Sequence, residues 1–279
     1  MINESEVTIV IPHYGASKEM CYALKETQTS LYENSPEIKQ LIVKNGGYKC
    51  DCAYDIKIND QGQCKAVNAA IGTINTPWIF ITNDDMVYGS GWWNRFTFHL
   101  SPEIKCVSPI LIEPRLGAPS FKVYFCGGAG GDFDKKKWNE FSDHYTPEVF
   151  PNGTILRRGF NFPVLIKKEL FDLIGGYDMQ YDPWGASGDT DLQCKVELAG
   201  IKTYQNTNCP VYHFSQTSGT FEPQNQGYWA KNYEYFREKW GFERPGDPDV
   251  WFSKDLIKYE QLKYDPWWKD FYKQKTTTS

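Results

Sequence analysis

Residues Asn83-Asp84-Asp85 set two adjacent carboxylates directly behind the apolar run "WIFIT". A carboxylate left unpaired in an apolar core is costly. At the carboxyl end of a parallel strand, however, side chains leave the core for the ligand crevice, where acids stay solvated or bind a cation. Two hard oxygen ligands there suit Mn2+ or Mg2+, which need few protein ligands when a substrate diphosphate supplies the rest. The same triplet also fits an ordinary strand-to-turn junction, where Asn and Asp are common. Taken alone it leaves the two readings even.

The segments around the triplet are of the kind that would place it in a crevice. Strand-like runs at 7–12, 40–45, 54–60 and 78–84 alternate with helix-like segments at 17–34, where Ser17 is the N-cap, and at 62–74. This alternation predicts an α/β fold with a mostly parallel sheet flanked by helices, and ligands at the strands' carboxyl ends. A helix at 90–100 and a strand at 105–112 follow. Residues 126–141 carry so much Gly and charge that they read as a mobile loop or lid. Farther on, a strand feeds a helix at 167–174 with Gly175 or Gly176 as its stop. A second helix begins at "GDTDLQCKVELAG", and "GYWAKNYEYFREKWG" (227–241) is the clearest helix of an aromatic-rich C-terminal appendage. The terminal "KQKTTTS" reads as frayed.

The chain of 279 residues is long enough for a substantial core. Its net charge of −5, with Lys and Arg scattered, leaves no basic field for nucleic acid. Aromatic residues make up 16%, including the pairs Trp92-Trp93 and Trp267-Trp268, so most must pack inside and some will be exposed. No segment is apolar enough over 18–20 residues to span a membrane, and the N-terminus lacks the pattern of a secretory leader. The expectation is a soluble, cytoplasmic protein. Its eight Cys are dispersed, which favours reduced core thiols over disulfides, and Cys50-x-Cys52 lacks the second pair of a zinc site. Asn152-Gly-Thr154 is a glycosylation sequon by pattern only, and Arg157-Arg158 reads as a solvated basic pair.

The order of several motifs resembles the family-2 glycosyltransferases of GT-A fold. "VTIVIPHYG" resembles that family's first strand and its Pro-x-Tyr end, and "LIVKNGG" its second strand and turn. "NDQGQCKAVNAAIGTINTPWIFITNDDMV" is similar to its helix and Asp-x-Asp succession, and "LIGGYDMQYDPWGASGDTDLQCKVELAG" to its acceptor-side Gly-Gly-Tyr-Asp turn and catalytic helix. Each motif is weak alone; together they run in order over about residues 5–215. The resemblance implies a GT-A, Rossmann-like sheet. Residues 1–115 would form the nucleotide-sugar-binding half, 116–220 the acceptor-binding and catalytic half, and 221–279 the appendage.

It also implies a sugar transfer, inverting in stereochemistry, from a nucleotide-sugar to a glycan or other hydroxyl acceptor, with Mn2+ or Mg2+ as cofactor. Under it Asp85 holds the metal, and Asp84 and Asn83 meet the ribose or support the metal's surroundings. Asn83 departs from the family, which often has Asp there. Pro12 and Tyr14 match the base pocket or form a packed turn after the strand, and Asn45 and Asp60, at the ends of the next strands, would hydrogen-bond the base or equally are turn residues. Lys44 stands where the family usually carries an acid. Lys65 and Asn68, one helical turn apart, would reach base or phosphate; a solvated face is an equal reading for Lys65. Asp189 corresponds to the base that deprotonates the acceptor hydroxyl, although an Asp at a helix start also serves as a cap. Gly188 precedes it where the family has Glu. His213 would complete the metal shell, an imidazole suiting Mn2+ better than Mg2+, or is a satisfied buried histidine. Trp184 offers an indole face to an acceptor sugar or packs in the core, and Asp191 would hydrogen-bond the acceptor or support the site from behind it. His13 receives no role.

Two rivals remain. A sugar nucleotidyltransferase would need a Gly-rich basic loop after the first strand, which "PHYGASKEM" lacks. A non-catalytic carbohydrate- or nucleotide-sugar-binding protein would accommodate Asn83, Lys44 and Gly188.

Overall fold

The computed structural model describes residues 2–15, 17–47, 50–59, 62–98, 100–114, 122–146, 154–157, 162–215 and 223–240. The first half runs β1 (Val7–His13), α1 (Lys18–Asn34), β2 (Lys39–Asn45), β3 (Ile56–Ile58), α2 (Gln63–Ile71), β4 (Trp78–Ile81), β5 (Met86–Tyr88), α3 (Trp92–Thr97) and β6 (Cys106–Glu113). The second half adds β7 (Lys122–Val123), α4 (Lys135–His144), β8 (Thr154–Arg157), β9 (Val164–Lys167), α5 (Lys168–Leu173), α6 (Gly188–Leu198), β10 (Thr203–His213) and α7 (Gln226–Trp240).

All the described strands join one sheet, in the order β3-β2-β1-β4-β9-β6-β10-β5, with β7 beside β6 and β8 beside β10. β1, β2, β3 and β4 are mutually parallel where they pair, whereas β9 runs antiparallel to both β4 and β6. The chain therefore leaves β1 towards β2 on one side and returns to β4 on the other. That reversal between β1 and β4 opens a crevice at their carboxyl ends.

Parallel strands covered on both faces read as continuous apolar runs, and β1, β4 and β6 are buried at every position. Alternate residues serve opposite faces: Val10 joins Leu41, Val67, Ile79 and Ile81 on one side, Ile9 and Ile11 join Leu24, Phe80 and Trp92 on the other. Each fully buried aliphatic side chain of this kind contributes about 1.5–3 kcal/mol. Ser17 caps α1, its Oγ accepting from the Met20 amide. α1 also satisfies the edge strand β5: Thr27 Oγ1 accepts from Met86 N and Ser30 Oγ from Tyr88 N, both at 3.1 Å.

Several sequence expectations need correction. The strand at 78–84 ends at Ile81, because Thr82 turns its hydroxyl to Tyr88 Oη at 2.7 Å and the acids form the turn into β5. The segment read as a lid contains α4, capped by Asp134 and anchored by the fully buried Trp138. Its Lys run hides an aromatic face of Trp138, Phe141 and Tyr145 packed about Tyr124 and Tyr212. Both Trp92 and Trp93 lie in the core. Cys21 and Cys50 are joined by a disulfide, contrary to the expectation of reduced thiols throughout; the other six cysteines are free. Of the appendage, α7 is described, and 241–279 with Trp267-Trp268 lies outside the described residues, as do Asn152 and Arg158. Among the described residues, no helix is long and apolar enough to cross a membrane.

Candidate active site

The carboxyl ends of β1, β2 and β4 and the start of α6 enclose a cleft of about 320 Å³. Pro12, Tyr14 and Asn45 line one wall, Asn83, Asp84, Asp85 and His213 the floor, and Trp184 and Asp189 the opposite wall. Tyr14 and Trp184 meet edge to face at 5.4 Å between centroids, so the walls touch at the rim. The turn after β2 closes against Tyr14 only because residue 47 is Gly: it has φ +73°, and a Cβ would stand 1.6 Å from the Tyr14 carbonyl oxygen. Asn45 Nδ2 donates to the Gly62 carbonyl at 3.3 Å, tying this wall to the start of α2.

Strand register brings His213 to the acids. His213 pairs with Met86 across β10 and β5, and the Phe214 amide donates to the Asp85 carbonyl at 3.0 Å. Nε2 of His213 then lies 3.4 Å from Asp85 Oδ2, and Nδ1 lies 2.7 Å from Glu113 Oε1. Burial works to lower the His213 pKa, but the charge and hydrogen bond of Asp85, then those of Glu113, raise it to about 10. A carboxylate behind one ring nitrogen fixes the tautomer and aims the other nitrogen, as in carboxylate–histidine–metal arrangements. The donor set fits a divalent cation: one carboxylate and one imidazole, separated as two ligands each about 2.1 Å from one ion can be.

Glu113 is not marked by any motif. It ends β6 immediately after the apolar "VSPILI", and an acid terminating a buried strand, as in the Asn83-Asp84-Asp85 turn, is the signal that would have found it. His13 likewise gains a place. It is fully buried, its Nδ1 lies 2.5 Å from Asp84 Oδ2, and its Nε2 lies 3.2 Å from Cys50 Sγ. Burial raises the Asp84 pKa, with the His13 hydrogen bond acting against it. Gln63, and Trp229 from α7, also line the cleft.

On the opposite wall, Asp189 occupies the first turn of α6, whose cap position is Ser187. Tyr177 Oη donates to Asp189 Oδ1 at 3.1 Å. The turn residue is thus distinct from the cap, and a tyrosine orients it.

Other expected residues lie elsewhere. Asn68 gives both ends of its amide to Tyr177, donating to its carbonyl at 2.8 Å and accepting from its amide at 2.9 Å, so it braces the Gly-Gly-Tyr-Asp turn. Lys65 does not line the cleft; its amide, with that of Cys64, donates to Asp182 at 3.0 Å, so that Asp182 caps α2 where Gly62 has no side chain to do so. Burial lifts the Asp182 pKa to about 6 against the effect of those amides. Asp191 is fully buried and does not line the cleft, the position of a supporting residue. Lys239 Nζ at 2.6 Å, Trp240 Nε1 at 2.9 Å and Tyr181 Oη at 3.3 Å engage its Oδ1, and Lys195 Nζ lies 3.4 Å from Oδ2. Asp60 lies outside the described residues.

No family model matches the chain, and no curated protein does. Solved structures do. A mannosyltransferase, PcManGT from Pyrobaculum calidifontis, in complex with GDP-Man and Mn2+, is similar over 94% of this chain and 71% of its own, with a TM-score of 0.54 and 14% identity. GalNAc-T7 with UDP, GalNAc and Mn2+ is similar over 92% of this chain, with a TM-score of 0.53 and 13% identity. The chain spans 54% of that protein's length. These likenesses establish the GT-A type of α/β fold, a sheet flanked by helices.

Proposed function

We propose that the chain is a divalent-metal-dependent, inverting glycosyltransferase of family-2 type that moves a sugar from a nucleotide-sugar to a hydroxyl acceptor. One observation carries the reading. A metal-fitting pair, Asp85 and His213 backed by Glu113, shares a cleft at the sheet's switch point with a carboxylate on the facing wall, Asp189.

In this reading Asp85 and His213 would hold Mn2+ or Mg2+, with Mn2+ favoured by the imidazole. When bound, the cation neutralises charge on the departing diphosphate. Pro12, Tyr14 and Asn45 form the wall for the nucleoside, and Asp84 and Asn83 support the ribose and the cation. Asp189, held by Tyr177, accepts the proton of the acceptor hydroxyl. The acceptor oxygen forms its bond to the anomeric carbon as that carbon's bond to the diphosphate oxygen breaks. Trp184 and Trp229, which line the same cleft as Asp189, offer apolar faces for an acceptor sugar.

GDP-mannose and UDP-GalNAc are the first donors to try, because the similar structures hold GDP-Man in one case and UDP with GalNAc in the other. Thermal shift with each donor, with and without Mn2+, tests the site, since a ligand selective for the folded state raises its melting temperature. The expected result is a Mn2+-dependent stabilisation by one donor class and slow Mn2+-dependent hydrolysis of it. Asp85→Asn should abolish both, with turnover down on the order of 10³-fold. A flat response to a full donor panel overturns the reading; stabilisation without any hydrolysis or transfer favours a binding protein on the same fold.

A further inference from the structure

The floor of the cleft rests on a structure that the proposed reaction does not use. His13 closes β1, is fully buried, and spans the switch point from β1 to the turn after β4. Its ring stands between Asp84 Oδ2, 2.5 Å from Nδ1, and Cys50 Sγ, 3.2 Å from Nε2. Cys50 is in turn bonded to Cys21 in the second turn of α1, next to Met20, which lines the cleft. Gly15 makes the arrangement sterically possible: a Cβ there, at φ +65°, would stand 2.7 Å from His13 Nε2 and 3.3 Å from Cys50 Sγ. A continuous series of contacts therefore runs from a disulfide, through one imidazole, to a carboxylate beside the metal-fitting pair.

We propose that His13 is a positioning residue of this cleft, fixing Asp84 with Nδ1 while the Cys21–Cys50 disulfide fixes His13 through Nε2, so that opening the disulfide weakens binding of a divalent cation with a nucleoside diphosphate. The proposal rests on the glycosyltransferase reading of the cleft. A buried carboxylate without a partner is free to swing away; the contact with His13 holds Asp84, which lines the cleft, in one position. A disulfide sulfur carries no proton, so in its contact with Nε2 it can only accept, while Nδ1 is hydrogen-bonded to Asp84. Reduction by a small dithiol such as dithiothreitol transfers two electrons and two protons to the protein. The Sγ–Sγ bond breaks, two thiols form, and the reductant becomes its own disulfide. The two thiol sulfurs can no longer stay at bonding distance. Cys50 is then released from α1 and is no longer held against His13 Nε2.

The test is Mn2+ binding, read from loss of the free-ion electron paramagnetic resonance signal, with GDP and with UDP as nucleotide probes. Wild type, His13→Leu, His13→Asn and Cys21→Ser/Cys50→Ser are compared before and after dithiothreitol, with thiols counted by titration of the denatured chain. As isolated, six thiols are expected, rising to eight on reduction. His13→Leu should weaken Mn2+ binding about tenfold, the low end of the range for losing a group that orients a metal site, because Asp84 supports the cation rather than ligating it. His13→Asn, whose amide nitrogen can take the place of Nδ1, should recover most of that loss, which a residue needed only for packing would not show. Reduction should weaken wild type several-fold and leave the double serine variant unchanged.

Eight thiols in the protein as isolated, a folded His13→Leu with wild-type affinity, a His13→Asn no better than His13→Leu, or wild-type affinity indifferent to complete reduction would each overturn the proposal. If His13→Leu fails to fold, the asparagine variant and the reduction series still decide it. Binding by wild type that Asp85→Asn abolishes keeps the glycosyltransferase reading even when His13 and the disulfide prove irrelevant. No Mn2+ binding by wild type under any condition removes both.

Discussion

At the cleft and just behind it, Asp84, Asp85 and Glu113 face His13 and His213; beneath α7, Asp178 and Asp191 face Lys195 and Lys239. Both regions concentrate acids, yet they are different kinds of object. The buried cluster matches two carboxylates with two ammonium groups, and Tyr181, Tyr235 and Trp240 supply hydrogen bonds to the same acids. It lies on helices and pins α7 to α6. The cleft instead has three acids against two imidazoles, lies at strand ends, and opens to solvent. An excess of carboxylate beside an open cleft at a sheet's switch point is what a cation needs. A charge-matched, closed set is what a helix interface tolerates. The partners of an acid, rather than the number of acids, separate the two.

The sharpest way to test this contrast is through α6, which supplies a residue to each region two positions apart. Asp189→Asn should leave donor and Mn2+ binding intact and lower turnover about 10²- to 10⁴-fold, the range for a lost general base. Tyr177→Phe, which removes one charge-assisted hydrogen bond, should lower turnover about tenfold. Loss of donor binding in Asp189→Asn would mean that the residue is structural, and the contrast between its two neighbours would fail.

The buried cluster should respond in the opposite manner. Lys239→Met leaves Asp178 and Asp191 without their shared partner and should destabilise the fold by about 3–5 kcal/mol, the range for breaking a buried pair from one side. Chemical denaturation would measure it. The Mn2+ affinity of the protein that remains folded should match wild type. A stable Lys239→Met with impaired Mn2+ binding would show that the two regions are not separate.

What was readable beforehand follows the distance over which each feature is determined. Strand ends are local, so Pro12, Tyr14, Asn45, Asn83 to Asp85, Trp184, Asp189 and His213 could be named from short motifs, and the structure sets all of them around one cleft. The partners of those residues depend on register. Glu113 reaches His213 only because β6 and β5 flank β10, and His13 reaches Asp84 only because β1 and β4 are neighbours. The partners of Asp191 and Asn68 are hidden for the same reason: Lys239 and Tyr177, distant in sequence, engage them away from the cleft lining. α4 was hidden by a Lys run whose neighbours Trp138 and Phe141 form its buried face. The two half-cystines lie 29 residues apart with apolar or helical surroundings, and only folding shows that they meet.

The effect most specific to the cleft is the pH response of the metal-free protein. Asp85 and Glu113 hold the His213 pKa at about 10, above its usual value of 6.5. Between those values the folded chain binds a proton that the unfolded chain has released, so stability must fall as pH rises across that window. The stabilisation is complete below about pH 6.5 and gone above about pH 10. A cation competes for the same nitrogen, so Mn2+ affinity should rise over the same window. Melting temperatures of chelator-treated wild type should decline through this range more steeply than those of His213→Gln, which lacks the titrating group. Equal slopes for the two proteins would show that the ring is not held as an imidazolium between the two acids, and the cleft would then resemble the closed cluster more than it differs from it.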